Sequence, residues 1–326
     1  MFSSVLSPKG TKKIGFWFKI VVFVGLLAYI GYVLGQQRFD WSVVQHQLEG
    51  VHYPERWAVL LVLLTPINWG LESLKWQILL KRVEKTSYWE AFQGVLAGLS
   101  LGFALPAQLG DTAGRVLSIR TSARAEDIGA SLVSGGMQFY VALVFGTLAC
   151  SHHMTTAAAR YNLACLIRLI LLVGLSVLGV LFGLVRRKVV GWLATRLSLR
   201  RFAGYWNVAG QYDDWEISRA LVAAALRYLV FSGQFYVAMQ LVGVELPLGV
   251  STSGIGVVFL AKTITPAFNL LSDLGVREAA SLWVFEPFGV PAPVLITATL
   301  TLWVANILLP VLIGLIWVWR LKWSVR

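Results

Sequence analysis

The chain has 326 residues, 57% hydrophobic and 13% charged, with a formal net charge of +12 and a mean hydropathy of +0.70. That balance excludes the soluble classes and defines an all-α polytopic membrane protein. The positive charge is read through topology first, because cytoplasmic loops of membrane proteins collect Lys and Arg; nucleic acid is excluded as a partner. The 14 Trp residues fit anchoring at the membrane interfaces.

Lys9, Lys12 and Lys13 precede an apolar run, Gly15–Leu34. At roughly 20 residues it exceeds a secretory h-region and suffices to span. No A-x-A-like site follows, so an uncleaved anchor leaving the cytoplasm is expected. Residues 36–56 then lie outside, and Trp57–Leu80 returns as span 2 with Asn68, Glu72 and Lys75 on one helical face. Lys75 is expected to snorkel to the inner interface, and Asn68 and Glu72 either join helices or serve the site. Lys81, Arg82 and Lys85 mark an inside loop.

Next comes a short apolar stretch, Ala91–Leu105, broken at Pro106 and followed by Ala-Gln-Leu-Gly110-Asp111-Thr-Ala-Gly114-Arg115. A half-length helix, a proline without an amide hydrogen and a charged restart predict a re-entrant hairpin. Such backbone survives at membrane depth only when packed in protein or lining a wet cavity. The glycines of Gly94–Gly102 point to close helix packing. Ile128–Cys150 and Asn162–Val185 are spans 3 and 4, joined by an outside loop that holds His152 and His153. Cys150 and Cys165 flank it without the spacing of a metal or disulfide cluster.

Residues 186–215 begin strongly basic, with Arg186, Arg187, Lys188, Arg196, Arg200 and Arg201. They read as a cytoplasmic amphipathic loop on the anionic leaflet, or as a topogenic loop alone. Span 5 is Glu216–Val244. A second hairpin follows over Gly254–Trp283, with Pro266 as its break and Asn269, Asp273, Gly275, Arg277 and Glu278 beyond it. Span 6 is Val294–Trp319, and Arg320, Lys322 and Arg326 return to the cytoplasm.

The layout is a single domain over 1–326, with six transmembrane helices, two re-entrant hairpins and both termini cytoplasmic. Pro106 and Pro266 stand 160 residues apart. The halves 1–155 and 156–326 have opposite orientation, an inverted repeat of the kind recurrent in transporters.

Charge inside a membrane is costly, so ionisable residues there pair or face a cavity. Arg115, Arg277, Lys262, Arg227, Asn68 and Asn269 are the candidates for binding an anionic head group, since arginine grips phosphate with paired N–H donors. Glu72, Asp111, Asp273 and Glu278 are candidates for charge pairing or proton coupling. Pro106, Gly110, Pro266 and Gly275 mark the hairpin breaks, whose half-helix N-termini supply further N–H donors. No nucleophile–base pair, metal cluster or phosphate-binding glycine loop stands out, so neither enzyme activity nor a cofactor is expected.

Three of these stretches resemble the lysylphosphatidylglycerol synthase transmembrane, or flippase-like, family. Asn68–Leu80, with Lys75-Trp76, is similar to its Asn-then-basic-Trp-Leu-Leu helix. Pro106 through Asp111 resembles its Pro-x-x-x-Gly-Glu signature, with Asp in place of Glu, and Gly275-Val276-Arg277-Glu278 resembles its Gly-Val-Arg-Glu signature. The resemblance implies lipid translocation; no aminoacyl-transferase domain follows Arg326, so lipid synthesis is not expected. The expected function is moving a phospholipid or polyprenyl-phosphate lipid between leaflets of a bacterial cytoplasmic membrane. Membrane lipids with anionic head groups are then the partners, and a homo-oligomer is compatible. The alternative is a non-catalytic partner or scaffold of a lipid-modifying or glycosyl-transferring enzyme.

Overall fold

Helix starts follow local chemistry. Pro54 opens α2 (Pro54–Leu80) at the first turn, where a missing amide hydrogen costs nothing. Ser87 and Glu90 form a reciprocal cap ahead of α3 (Tyr88–Ala104): the Ser87 amide donates to Glu90, and the Glu90 amide to the Ser87 hydroxyl. The Ser87 backbone N–H, and then its hydroxyl, hold the exposed Glu90 carboxyl below its ordinary pKa. Asp213 and Glu216 repeat the device ahead of α8 (Asp214–Leu241), the Asp213 amide donating to Glu216 at 2.9 Å. At the other end of α9 (Leu248–Ile264), Thr265 is extended, as the residue before a proline prefers.

The computed structural model describes residues 41–104, 107–119, 123–156, 163–195, 203–265 and 270–320. The first span, Pro106, Pro266 and Asn269 lie outside them, as do the side chains of Asp273 and Cys165. The remaining helices are α1 (Trp41–Glu49), α4 (Ala107–Leu117), α5 (Arg124–Thr156), α6 (Leu163–Thr195), α7 (Ala203–Gln211), α10 (Leu270–Phe285), α11 (Ala292–Trp303) and α12 (Leu309–Arg320). A π-helical segment, Val304–Leu308, joins the last two. The described residues contain no strand. Five helices are long and apolar enough to cross a membrane, over Pro54–Leu80, Arg124–Met154, Leu166–Leu193, Asp214–Leu241 and Ala292–Trp319. The fold is all-α, an integral membrane protein.

Helices α3 and α4 form an antiparallel pair. Gly94 lies against Ser118, Gly98 against Gly114, and Gly102 against Gly110. As the index rises on one side it falls on the other, and each side repeats a small residue every fourth position, the spacing that lets membrane helices touch backbone to backbone. A β-carbon at Gly110 or Gly114 would strike the backbone of Gly102 or Gly98. Helices α9 and α10 also fold back on one another, with Gly254 against Val284 and Phe285.

Element order and bounds recur. Pro54 and Asp214 start α2 and α8, 160 residues apart; Tyr88 and Leu248 start α3 and α9, also 160 apart and both 17 residues long. Contacts follow the same exchange: α2 packs on α8, α9 on α5, and α3 on α12. Helices α2 and α8 run antiparallel, since Leu61 meets Gln234 near one end while Arg82 meets Glu216 at the other.

Two local readings are corrected. Helix α5 runs on to Thr156, so His152 and His153 sit on helix, not in a loop. Helix α6 continues past Val185 through the basic stretch to Thr195. Arg186 does not face lipid head groups: it is buried, donates to the Tyr212 carbonyl at 3.0 Å and pairs with Asp214.

Candidate functional site

The deepest charges converge on one carboxylate. Glu72, about two-thirds of the way along α2, forms ion pairs with Lys75 Nζ at 2.8 Å, Arg115 Nη2 at 2.9 Å and Arg227 Nη1 at 3.2 Å. These cations arrive from α2, α4 and α8, so both halves of the chain contribute. Glu72 and Lys75 are neighbours because a three-residue step keeps them on one helical face. Arg115 reaches the cluster because the glycine contacts bring α4 tight against α3; it also pairs with Asp111 at 2.9 Å.

Glu72, Lys75 and Arg115 are 3%, 1% and 5% exposed. The Asp111 side chain, 36% exposed, is the open rim of the cluster. Lys75 does not snorkel: its ammonium is spent on Glu72 and on the Ser134 carbonyl at 3.2 Å. Indole faces support both arginines, with Arg115 Cζ 5.5 Å from the Trp76 ring and Arg227 Cζ 5.1 Å from Trp69.

Three cations and two carboxylates leave one positive charge over. Arg115 Nη1 and Arg227 Nε are buried N–H groups without an acceptor among the described residues. Buried donors are ordinarily satisfied, so such exceptions require an explanation.

A second cationic group lies one turn further along α8. Phe231 takes Lys262 Nζ at 5.6 Å and Arg277 Cζ at 5.5 Å from its ring centroid. Arg277 is fully buried and Glu278 is 9% exposed. Gly110 is the fourth residue of α4, while Gly275 is the sixth of α10 and exposed. The free N–H groups of a helix are its first four, so in α10 they belong to Leu270–Asp273.

Asn68 works toward neighbouring helices. Its amide donates to Asn306 Oδ1 at 2.9 Å, Asn306 donates to Gln234 Oε1, and Trp69 Nε1 donates to the Asn306 carbonyl at 2.9 Å. Gln234, Asn306 and Trp69 were not singled out from the sequence, and Trp76 entered only through the family resemblance. Gln234 and Asn306 carried a usable signal, as amides inside otherwise apolar spans.

A cleft of about 420 Å³ opens elsewhere, among His46, Gln47, Gly243, Glu245 and Phe288; none of the expected site residues lines it. Among the described residues no group of three His, Cys, Asp or Glu is placed to hold a metal ion.

Membrane-spanning helices around a buried cluster of charges shared between two chain halves define the class: an integral membrane protein with ionisable groups paired in its interior. The chain belongs to the family described as the lysylphosphatidylglycerol synthase TM region, whose model matches residues 16–314. No curated protein and no solved structure matches it. Family membership gives the protein a membrane-lipid-related role.

Proposed function

We propose that the protein is a lipid translocase, moving a phospholipid or polyprenyl-phosphate lipid between leaflets without making or breaking a covalent bond. The observation that carries this reading is the pair of buried, unused donors, Arg115 Nη1 and Arg227 Nε, beside a cluster with one positive charge over. A phosphate oxygen brings the acceptors those groups lack, and charge-assisted N–H···O bonds are about twice as strong as neutral ones. Asp111, at the rim, releases Arg115 to the head group, while Glu72 keeps the cations positioned between turnovers. Arg277 and Lys262 form the next station along α8.

The bacterial cytoplasmic membrane with inside termini fits this reading. Arg82, Arg187 and Lys188 cluster at the end where α2 and α6 finish and α8 begins, as expected for a cytoplasmic face.

Leaflet exchange of head-group-labelled phosphatidylglycerol and polyprenyl phosphate, in liposomes holding the purified protein, tests the proposal. Exchange is expected for the wild type and loss of it for Arg115→Ala and Arg277→Ala at unchanged expression. Arg115→Lys, which keeps charge but not the planar fork, is expected to fall between. Normal transport by both alanine variants would remove the site assignment. Absence of exchange with a stoichiometric enzyme co-purifying would favour a membrane-partner role.

A further inference from the structure

The last span is divided in its attachments. Helix α11 packs on α8 and α10, whereas α12 packs on α3 of the first hairpin. There Ser100 Oγ donates to the Val311 carbonyl at 2.8 Å, and Gly314 lies against the Leu96 carbonyl. Between α11 and α12 the segment Val304–Leu308 is π-helical, the Leu309 N–H donating five residues back to the Val304 carbonyl. A π turn interrupts the regular ladder and is one of the few places where a helix bends sharply. The next two carbonyls are met from α2. The Thr65 hydroxyl, shared with the Leu61 carbonyl, reaches Ala305 at 3.3 Å, and Trp69 Nε1 reaches Asn306 at 2.9 Å. The fully buried Asn306 side chain accepts from Asn68 of α2 at 2.9 Å and donates to Gln234 of α8.

We infer that this π-helical segment is the pivot on which the first hairpin moves against α2 and α8, with Asn306 the positioning residue that holds it; the inference rests on the translocase reading. The junction is fastened to the two helices that carry Glu72 and Arg227. Asn68 stands about one turn from Glu72, and Gln234 about two turns from Arg227. Arg115 sits across the joint, on α4, whose glycines press it to α3 and so join it to α12. A bend at Val304–Leu308 carries Arg115 along with α12, and Asp111, on the same helix, travels with it. The 2.9 Å contact of Arg115 with Glu72 lengthens, and the guanidinium passes from that carboxylate to an entering phosphate. An uninterrupted α-helix through the last span would tie the two sides together and hold the contact shut.

The test uses the full chain in liposomes, with Cys150 and Cys165 replaced and spin labels at Leu109→Cys on α4 and Val222→Cys on α8, both exposed. A π turn holds about one residue more than the α-turn it interrupts. Deleting Val304, which is exposed, therefore leaves a continuous helix with α11 and α12 in their present registers. In the otherwise wild-type chain, short-chain phosphatidylglycerol should bring out a second label-to-label distance. The deletion variant should keep a single distance with and without lipid and lose leaflet exchange, while unfolding at or above the wild-type temperature. Asn306→Leu removes both side-chain bonds and should spread the distances before any lipid is added.

A deletion variant that exchanges lipid at the wild-type rate overturns the inference. Should that variant not fold, a distance distribution in Asn306→Leu equal to the wild type's overturns it instead. A second distance seen in the wild type and missing from the deletion variant, with exchange in neither, would sink the translocase reading and leave the pivot standing. Exchange in the wild type without any change of distance sinks the pivot and leaves the translocase reading intact.

Discussion

Glu72 is the residue on which the interior depends. Replacing it by Gln keeps shape but leaves Lys75, Arg115 and Arg227 as buried cations without their common counter-charge. Breaking a buried ion network from one side costs about 3–5 kcal/mol, so Glu72→Gln should lower thermal unfolding in detergent by that equivalent. Adding Lys75→Met should recover part of the loss, because one uncompensated cation is removed; a double variant less stable than either single one would contradict the account. Half of this site was legible in the sequence. Glu72 and Lys75 are three apart, and Asp111 and Arg115 four apart, so each pair follows from helical spacing. That Arg227 completes the same cluster is a contact between halves, and no local spacing encodes it. The snorkelling expected of Lys75 failed because a neutralising carboxylate and the Ser134 carbonyl were within reach.

Glycine spacing makes the first hairpin a single element. The close approach of α3 and α4 predicts a sharp contrast between two kinds of glycine. Gly114→Leu would drive a side chain into Gly98 and the Ala97 carbonyl, and overpacking of this kind costs about 1–3 kcal/mol. Gly275 meets no atom within 4 Å, so Gly275→Ala should be neutral or raise stability by up to about 1 kcal/mol through helix propensity. Thermal unfolding of both variants in detergent checks the pair, and equal losses would mean the glycines are not packing sites. The repeated glycines made the close pairing of α3 with α4 readable in advance. The length of α6 was not: Arg and Lys mark where a chain leaves the membrane, but both are good helix formers. Helix therefore runs on through Arg186–Lys188 where the apolar stretch ends.

Across the whole molecule, the recurrence of bounds at 160 residues and the antiparallel meeting of α2 with α8 imply that corresponding elements face opposite sides of the membrane. Helix length says how far the hairpins reach. At 1.5 Å per residue, the 17 residues of α3 extend about 25 Å and the 11 of α4 about 17 Å, against roughly 30 Å of hydrocarbon. A helix of α4's length cannot carry the chain across, so the first hairpin should turn within the membrane and return. Cysteines placed singly at Ala107 and Ser272, in a background with Cys150 and Cys165 replaced, read this directly with an impermeant thiol reagent. Ala107→Cys should label from the cytoplasmic side and Ser272→Cys from the outside. Labelling of both from one side would end the inverted arrangement. Labelling from opposite sides but with the two assignments exchanged would mean that each hairpin crosses fully.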